Sequence, residues 1–423
     1  MKIAHVLVNY HPSIGGTQLL FKGISEKCVQ QYNDEVEVLT IDSYNGSHSN
    51  NYKPIVPLQE TVNGVHIKRF SFLRAHKFWF SFLAKFWIKC TGTNNTWLQL
   101  RSIGPWSSSL KKAIDNTNAD VIVASSSGYL FMQYPLYRHT LKNPKPFVYQ
   151  GAIHFATNEN HQVISTNTLN AIKASEYYLA NTQFEKDRLV QLGVDENMIV
   201  ITGVATNVDF FANGNRQLYR SKLEIQDDEV VVGYVGRIEK TKSVDVLIQA
   251  FLLAKTTNKK LKLIIAGFET SYVQQLKQII KDEASLNKND IIFIHDLKEE
   301  DKAHLFHAFD VFVLPSVNES FGIVFLEAWA CKKPVIGTAI GAIQSVITNG
   351  VDGLLMKPES KESLAEKILV LAQNEQMRLQ LGNNGYQKTI THYTWDAVTK
   401  KYRDTYLLAI NKFNNVQRRS HLG

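Results

Sequence analysis

The chain has 423 residues, 44% of them hydrophobic and 20% charged, which is ordinary globular composition with apolar material for two domains or two lobes. Its formal charge of +8 suggests an anionic partner without choosing among nucleic acid, membrane and phosphorylated ligand. Three widely spaced cysteines (Cys28, Cys90 and Cys331) fit neither a disulfide framework nor a metal cluster, and a reducing compartment suits them. No run of about 18 apolar residues exists to span a bilayer. The first residues pass straight into a strand pattern with no signal-peptide layout, so a cytoplasmic location is expected.

Residues 3–8 read as a short apolar strand. His11 to Thr17 follow as a loop opening a helix near Gln18, with Gly15 and Gly16 at the turn, where backbone can approach a ligand. The dinucleotide pattern Gly-x-Gly-x-x-Gly is absent, and a plain tight turn also explains the pair. Strand patterns recur at 36–41, 65–70, 121–124 and 147–149, separated by several helical segments. Such alternation predicts a parallel, doubly wound sheet.

Between Glu60 and Asp115 there is no acidic residue, while nine basic ones fall in the gap: Lys68, Arg69, Arg74, Lys77, Lys85, Lys89, Arg101, Lys111 and Lys112. Placed on a helix, residues 72–89 set Arg74, Lys77, Ser81, Lys85 and Lys89 at intervals of three or four. Phe78, Trp79, Phe82, Phe86 and Trp87 crowd elsewhere. This composition suits a helix lying in an anionic membrane interface, which would make the protein peripheral on the inner face of the cytoplasmic membrane. A core-packed helix with a solvated basic face has the same pattern. No nucleic-acid-binding motif accompanies the charge, and no nucleic-acid partner is expected.

His154 follows the 147–149 strand directly, on a loop where doubly wound folds place ligands; a structural histidine is the plainer reading of one alone. Strand, helix and strand are expected at 177–181, 184–192 and 199–204. Asn207 to Phe211 closes the first lobe, and the polar stretch 212–228 is expected to be a linker. The pattern restarts at 230–235. That strand ends on Gly236-Arg237, a loop carries Lys240 and Lys242, and a helix begins near Val244. Arg237 and Lys242 thus reach a strand end five residues apart, where arginine can grip phosphate oxygens bidentately and lysine adds a point charge. Two solvated loop cations are the alternative. Further strands are expected at 262–266, 291–294, 311–314 and 334–336, then glycine turns at Gly337, Gly341, Gly350 and Gly353. Helices are expected at 361–373 and 376–389. A last amphipathic helix should end near Ile410, with 417–420 frayed.

The most informative stretch runs from Leu314 to Cys331. After the 311–314 strand, Pro315, Ser316, Asn318, Ser320 and Gly322 supply turn chemistry, and good helix formers begin at Ile323. Backbone N–H groups at such a helix start can hold an anion. Glu319 sits in the loop. Glu327 sits on the helix among Val324, Phe325, Leu326, Ala328 and Trp329, so it should be part-buried and need hydrogen-bond donors. Sugar or ribose hydroxyls would serve, and so would a nearby Arg or Lys.

Gly15-Gly16, Gly236-Arg237 with Lys242, and the Glu-Ser-Phe-Gly-Ile-x-x-x-Glu segment from Glu319 to Glu327 resemble glycosyltransferase family four, the retaining enzymes of GT-B fold. The Trp395 helix is similar to theirs as well. The resemblance implies two Rossmann-like doubly wound domains facing a cleft: an acceptor domain of residues 1–212 completed by 394–423, and a nucleotide-sugar domain of residues 213–393. It implies that Arg237 and Lys242 hold the donor diphosphate, Glu327 the ribose hydroxyls and Glu319 a hydroxyl of the transferred sugar. Phe321, Gly322 and Ile323 would offer N–H groups to phosphate or sugar, Gly15 and Gly16 would close on the diphosphate, and His154 would be the cleft histidine. Glu319, His154, Arg237 and Lys242 are the catalytic candidates.

No cofactor and no metal are expected, since Asp-x-Asp is absent and fixed cations can stabilise a departing diphosphate. The implied activity is transfer of a sugar, a hexose in the first instance, from a nucleotide-diphosphate donor to a hydroxyl of a lipid-linked or cell-surface glycan precursor. Uridine is the family's usual base. Same-face attack and a two-step route through a carboxylate both retain configuration. A catalytically silent nucleotide- or glycan-binding relative and a Rossmann dehydrogenase are the rival classes, the latter disfavoured by the missing glycine pattern. The sequence departs from the family at Ser243, where glycine is usual, at Gln344-Ser345 in place of Pro-Glu, and in lacking glycine after His154.

Overall fold

The computed structural model describes residues 1–13, 15–44, 52–73, 76–93, 95, 98, 105–125, 133–151, 164–268, 270–281, 286–287, 289–295 and 297–420. They form two compact units. One takes the chain up to Thr202 and again from Val398; the other runs from Gly203 to Ala397.

The first unit is built on an eight-stranded sheet in the order β3-β4-β2-β1-β5-β6-β7-β8. Its strands are β1 (Lys2–Val6), β2 (Glu35–Ile41), β3 (Gln59–Val62), β4 (Val65–Phe70), β5 (Val121–Ser125), β6 (Phe147–Gln150), β7 (Tyr177–Ala180) and β8 (Ile199–Ile201). All pairs are parallel except β3–β4. The antiparallel β3 was not anticipated, because Gln59 and Glu60 mask its pattern. Its signal was Asn63-Gly64, whose φ values of 51° and 83° make a hairpin turn.

Helix α1 (Gly16–Tyr32) follows β1, and α2 (His76–Thr91) follows β4. On α2, Ala84 is buried, whereas Phe78, Trp79, Phe82, Leu83, Phe86 and Trp87 are exposed. This contradicts the core-packed alternative for 72–89. Part of the basic excess around it is internally paired: Lys68 with Glu37, Arg69 with Glu60 and Lys111 with Asp115.

The second unit carries a six-stranded, all-parallel sheet in the order β11-β10-β9-β12-β13-β14. The strands are β9 (Val230–Val235), β10 (Leu261–Ala266), β11 (Ile291–Ile294), β12 (Val311–Leu314), β13 (Val335–Thr338) and β14 (Gly353–Met356). Strand order reverses between β9 and β12, the doubly wound arrangement of Rossmann-like folds. Two expectations fail here. Gly337 lies inside β13 and Gly353 opens β14 instead of marking turns; a Cβ on Gly353 would come within 2.8 Å of the Val335 carbonyl oxygen.

Nor is 212–228 a linker. Helices α3 (Val208–Ala212) and α4 (Arg216–Lys222) belong to this unit. Phe211 packs edge-on to Phe306 at 5.7 Å between ring centres. Arg220 is fully buried and donates to the carbonyls of Ala308, Gln226 and Glu229 and to Asp310. Helices α5 (Val244–Thr257), α6 (Lys302–Ala308) and α7 (Ile323–Ala330) follow the strands. Helix 375–392 clamps α7: Trp329 is fully buried, donates Nε1 to the Asp352 carbonyl at 2.8 Å, and occupies the space a Cβ on Gly385 would need.

The last helix, α8 (Trp395–Ser420), runs about three turns past the expected end, since no glycine or proline interrupts it. From Val398 it is part of the first unit. Tyr402, Tyr406 and Ala409 are fully buried, and Arg403 pairs at 2.8 Å with Asp34, which also binds the N-terminal amine. His5 on β1 is the polar centre of this contact. Its Nδ1 lies 2.7 Å from Ser25 Oγ, and its Nε2 lies 3.2 Å from the Tyr406 hydroxyl.

Burial pushes the His5 imidazole down to about 3. The unfolded chain, titrating near 6.5, binds the extra proton between those values. His5 therefore stabilises the fold above pH 6.5, and that contribution fades as pH falls, by at most about 1.4 kcal/mol per pH unit. Thermal melts of the wild type should drop from pH 6.5 to 5.0 more steeply than those of His5→Gln. Parallel profiles would remove His5 as the cause.

Candidate active site

Two loops at the carboxyl ends of β9 and β12 build the site. Beyond β9 the chain turns at Gly236 and Arg237, where the Tyr234 hydroxyl donates to the Arg237 carbonyl at 2.7 Å. Gly267, at the end of β10, approaches so closely that a Cβ there would sit 1.9 Å from the Gly236 carbonyl oxygen. A single 3-10 turn, Lys240–Lys242, leads to Ser243, which opens α5 with φ 51°. That left-handed backbone is what glycine adopts freely and serine at a cost of about 1 kcal/mol, which accounts for the family's usual residue there.

Beyond β12, buried Ser316 donates to the Thr241 carbonyl at 3.3 Å and ties this loop to the first. Phe321 is buried edge-on to Tyr393, with ring centres 5.4 Å apart. Gly322 then turns the chain into α7 with φ 87°; a Cβ would lie 2.7 Å from the Phe325 ring. No side chain caps α7 and no acid occupies its first turn, so its N-terminus presents the positive end of the helix dipole.

Across these loops Lys242 Nζ meets Glu319 Oε1 at 2.6 Å, both side chains largely buried. They hang from the two strands between which sheet order reverses, the place where doubly wound folds bind ligands. Arg237 is different: its side chain is 68% exposed and pairs at 3.3 Å with Glu239 of the same loop.

Glu327 is buried on α7. Its Oε1 accepts from Lys302 Nζ at 2.7 Å, while its Oε2 is buried with no hydrogen-bond partner among the described residues. Burial pushes its carboxyl up, against the pull of Lys302. Lys302 is itself pushed down by burial, but Glu327 and Glu299 outweigh that and its ammonium ends above the usual lysine range. At the end of β13, Thr338 Oγ1 is another of the buried atoms without a partner among the described residues.

The structure thus gathers Lys242, Glu319, Phe321, Gly322, Ile323 and Glu327 on adjoining elements of one unit, with Arg237 on the same β9 loop. Gly15 and Gly16 lie in the first unit at the start of α1. Gly15 is in extended backbone and has Gln18 as its near neighbour. His154 lies outside the described residues. Among the described residues no three His, Cys, Asp or Glu side chains cluster as a metal site. Lys302 was missed by sequence reading. It is the nearby lysine allowed as an alternative partner of Glu327, and only the packing of α6 against α7 reveals which one.

Lys302→Met should cost about 3 kcal/mol at pH 8, because it strands a buried carboxylate. The cost should shrink at pH 5, since Glu327 without its counterion has a raised folded pKa and takes up a proton as pH falls. Urea unfolding at both pH values checks this. An equal cost at both would show that the charge of Glu327 does not change between them.

Two doubly wound α/β units, one holding cations and carboxylates at its strand-order reversal, define the GT-B class. Residues 215–388 match the family model of glycosyl transferases group 1, a span containing Arg237, Lys242, Lys302, Glu319 and Glu327. The D-inositol 3-phosphate glycosyltransferase of Stackebrandtia nassauensis is 28% identical over 256 residues, covering 59% of this chain and 58% of that protein. The Rhodococcus jostii protein of the same name is 29% identical over 248 residues, covering 57% and 55%. The alignment spans less than two thirds of these relatives' length. Among solved structures, the sucrose-phosphate synthase of Thermosynechococcus elongatus aligns with a TM-score of 0.70 at 18% identity, over 97% of this chain and 100% of that one. Anabaena HepE in complex with UDP and glucose aligns with a TM-score of 0.67 at 17% identity, over 95% and 98%. The chain has the GT-B fold, and its residues 215–388 carry the match to the group 1 glycosyl transferases.

Proposed function

We propose that this protein is a retaining glycosyltransferase that moves a hexose from a uridine diphosphate sugar to a hydroxyl acceptor without a metal ion. The observation that carries this reading is the half-satisfied Glu327 carboxylate on the helix that follows the β12 loop. A buried oxygen with no donor is costly unless a ligand supplies one, and the vicinal hydroxyls of a ribose are donors of the right kind. The family match over 215–388 supports it. The UDP and glucose held by HepE support the donor class.

In this reading Arg237 swings from its exposed position onto the diphosphate, and Lys242 exchanges Glu319 for phosphate oxygens. Glu319, released from its lysine, accepts hydrogen bonds from the hydroxyls of the sugar. The N–H groups of Phe321, Gly322 and Ile323 add the dipole of α7. The anomeric carbon–phosphate oxygen bond breaks, the acceptor oxygen bonds to the same face, and its proton passes to the departing phosphate oxygen. Charge builds on the leaving diphosphate, where fixed cations lower the barrier. The acceptor is a glycan precursor at a membrane, a class favoured by the exposed aromatic helix α2.

Arg237→Ala and Lys242→Ala should each lower kcat/KM for the sugar nucleotide by about a hundredfold, a loss of roughly 2.7 kcal/mol of transition-state stabilisation. Chelator should leave the rate unchanged. Turnover that dies with chelator and returns with manganese would contradict metal independence. Donor binding with neither hydrolysis nor transfer would favour a silent sugar-nucleotide-binding relative.

A further inference from the structure

We propose that helix α2 docks this protein onto the surface of an anionic lipid bilayer. On α2 two adjacent rows spaced by four, Phe78-Phe82-Phe86 and Trp79-Leu83-Trp87, stand side by side. Their exposures run from 42% for Leu83 to 71% for Phe78, so the helix turns its large apolar side chains outward over about 14 Å. The protein-facing side holds Ala84, with Phe80 and Ser81 half-buried. Solvent alone does not favour such a face on a folded chain.

Charge selects the occupant. Lys85 and Lys89 are exposed along one border of the aromatic rows, and no acidic residue occurs from Thr61 to Ile114. Lys68, Arg69 and Lys111 have carboxylate partners. The cations flanking the rings therefore face outward together with them. Indole at headgroup depth, phenyl and leucyl groups in the acyl boundary and ammonium groups among lipid phosphates match an interfacial helix. No helix is long and apolar enough to cross a membrane among the described residues, so α2 lies on the bilayer.

The test is sedimentation of the full chain with vesicles of phosphatidylglycerol and phosphatidylcholine mixed equally, or of phosphatidylcholine alone, at 0.05 and 0.5 M salt. Wild type should sediment with the anionic vesicles at least tenfold more than with the neutral ones, and less at high salt. Phe82→Ser with Phe86→Ser should lower that binding at least tenfold at either salt, with the circular dichroism and thermal melt kept. Lys85→Glu with Lys89→Glu should remove only the preference for anionic lipid. Vesicle binding equal in wild type and the serine variant would overturn the proposal. So would the absence of vesicle binding with a concentration-dependent dimer that the serine variant abolishes. Donor hydrolysis in solution, measured on the same variants, separates this result from the glycosyltransferase reading.

Discussion

A carboxylate taken out of water needs donors for both its oxygens, and Glu327 has one. Lys302 supplies that donor and its charge; Glu327 and Glu299 keep the lysine charged against desolvation, while burial still pushes the Glu327 carboxyl up against the pull of Lys302. Much of the second unit keeps this arrangement in place. Trp329, two residues along α7, is wedged where Gly385 leaves room, and Gly322 sets the angle at which α7 leaves β12. Helix α6 is held in turn by Phe306, which packs on Phe211 and Phe312. The orphan oxygen is thus held in a fixed place, which a ligand-binding group requires.

The topology of the sheet adds the charge. Reversal of strand order leaves the loops after β9 and β12 unobstructed by crossover helices between them, and both loops carry ionisable groups. Lys242 and Glu319 neutralise one another in the free protein, which limits the repulsion of like charges in a small volume. Arg237 stands outside this pair. An anionic diphosphate arriving here would meet one exposed guanidinium, one lysine paired with Glu319 and one helix N-terminus. The first unit is organised differently, around a buried neutral cluster beside a buried ion pair. His5, Ser25 and Tyr406 exchange hydrogen bonds beneath α1 and α8, and Asp34 gathers the N-terminus and Arg403.

Much of this was legible in the sequence, for reasons that differ by element. Apolar runs such as 230–235 and 311–314 can be little else than buried parallel strands, and the helices beginning at Val244 and Ile323 were marked by the loops before them. The strand-end placement of Lys242 and of Glu319 was legible, but their contact with each other was not. Lys302 was not legible: it follows three acids, Glu299, Glu300 and Asp301, and looks like a solvated surface lysine until α6 packs against α7. Arg220 hid in the same way, since a polar stretch reads as a linker until its buried cation is seen to meet Asp310 and three backbone carbonyls. Ser243 shows the reverse. A departure from family habit became intelligible once its left-handed backbone was visible.

The central claim is that Glu327 Oε2 receives a ribose hydroxyl. Isothermal titration of UDP and of 2′,3′-dideoxy-UDP into the wild type and Glu327→Gln tests it as a cycle in which only the carboxylate–hydroxyl interaction is read. The account predicts that removing the hydroxyls weakens binding to the wild type by at least tenfold and leaves binding to Glu327→Gln nearly unchanged. An equal loss in both proteins would contradict it.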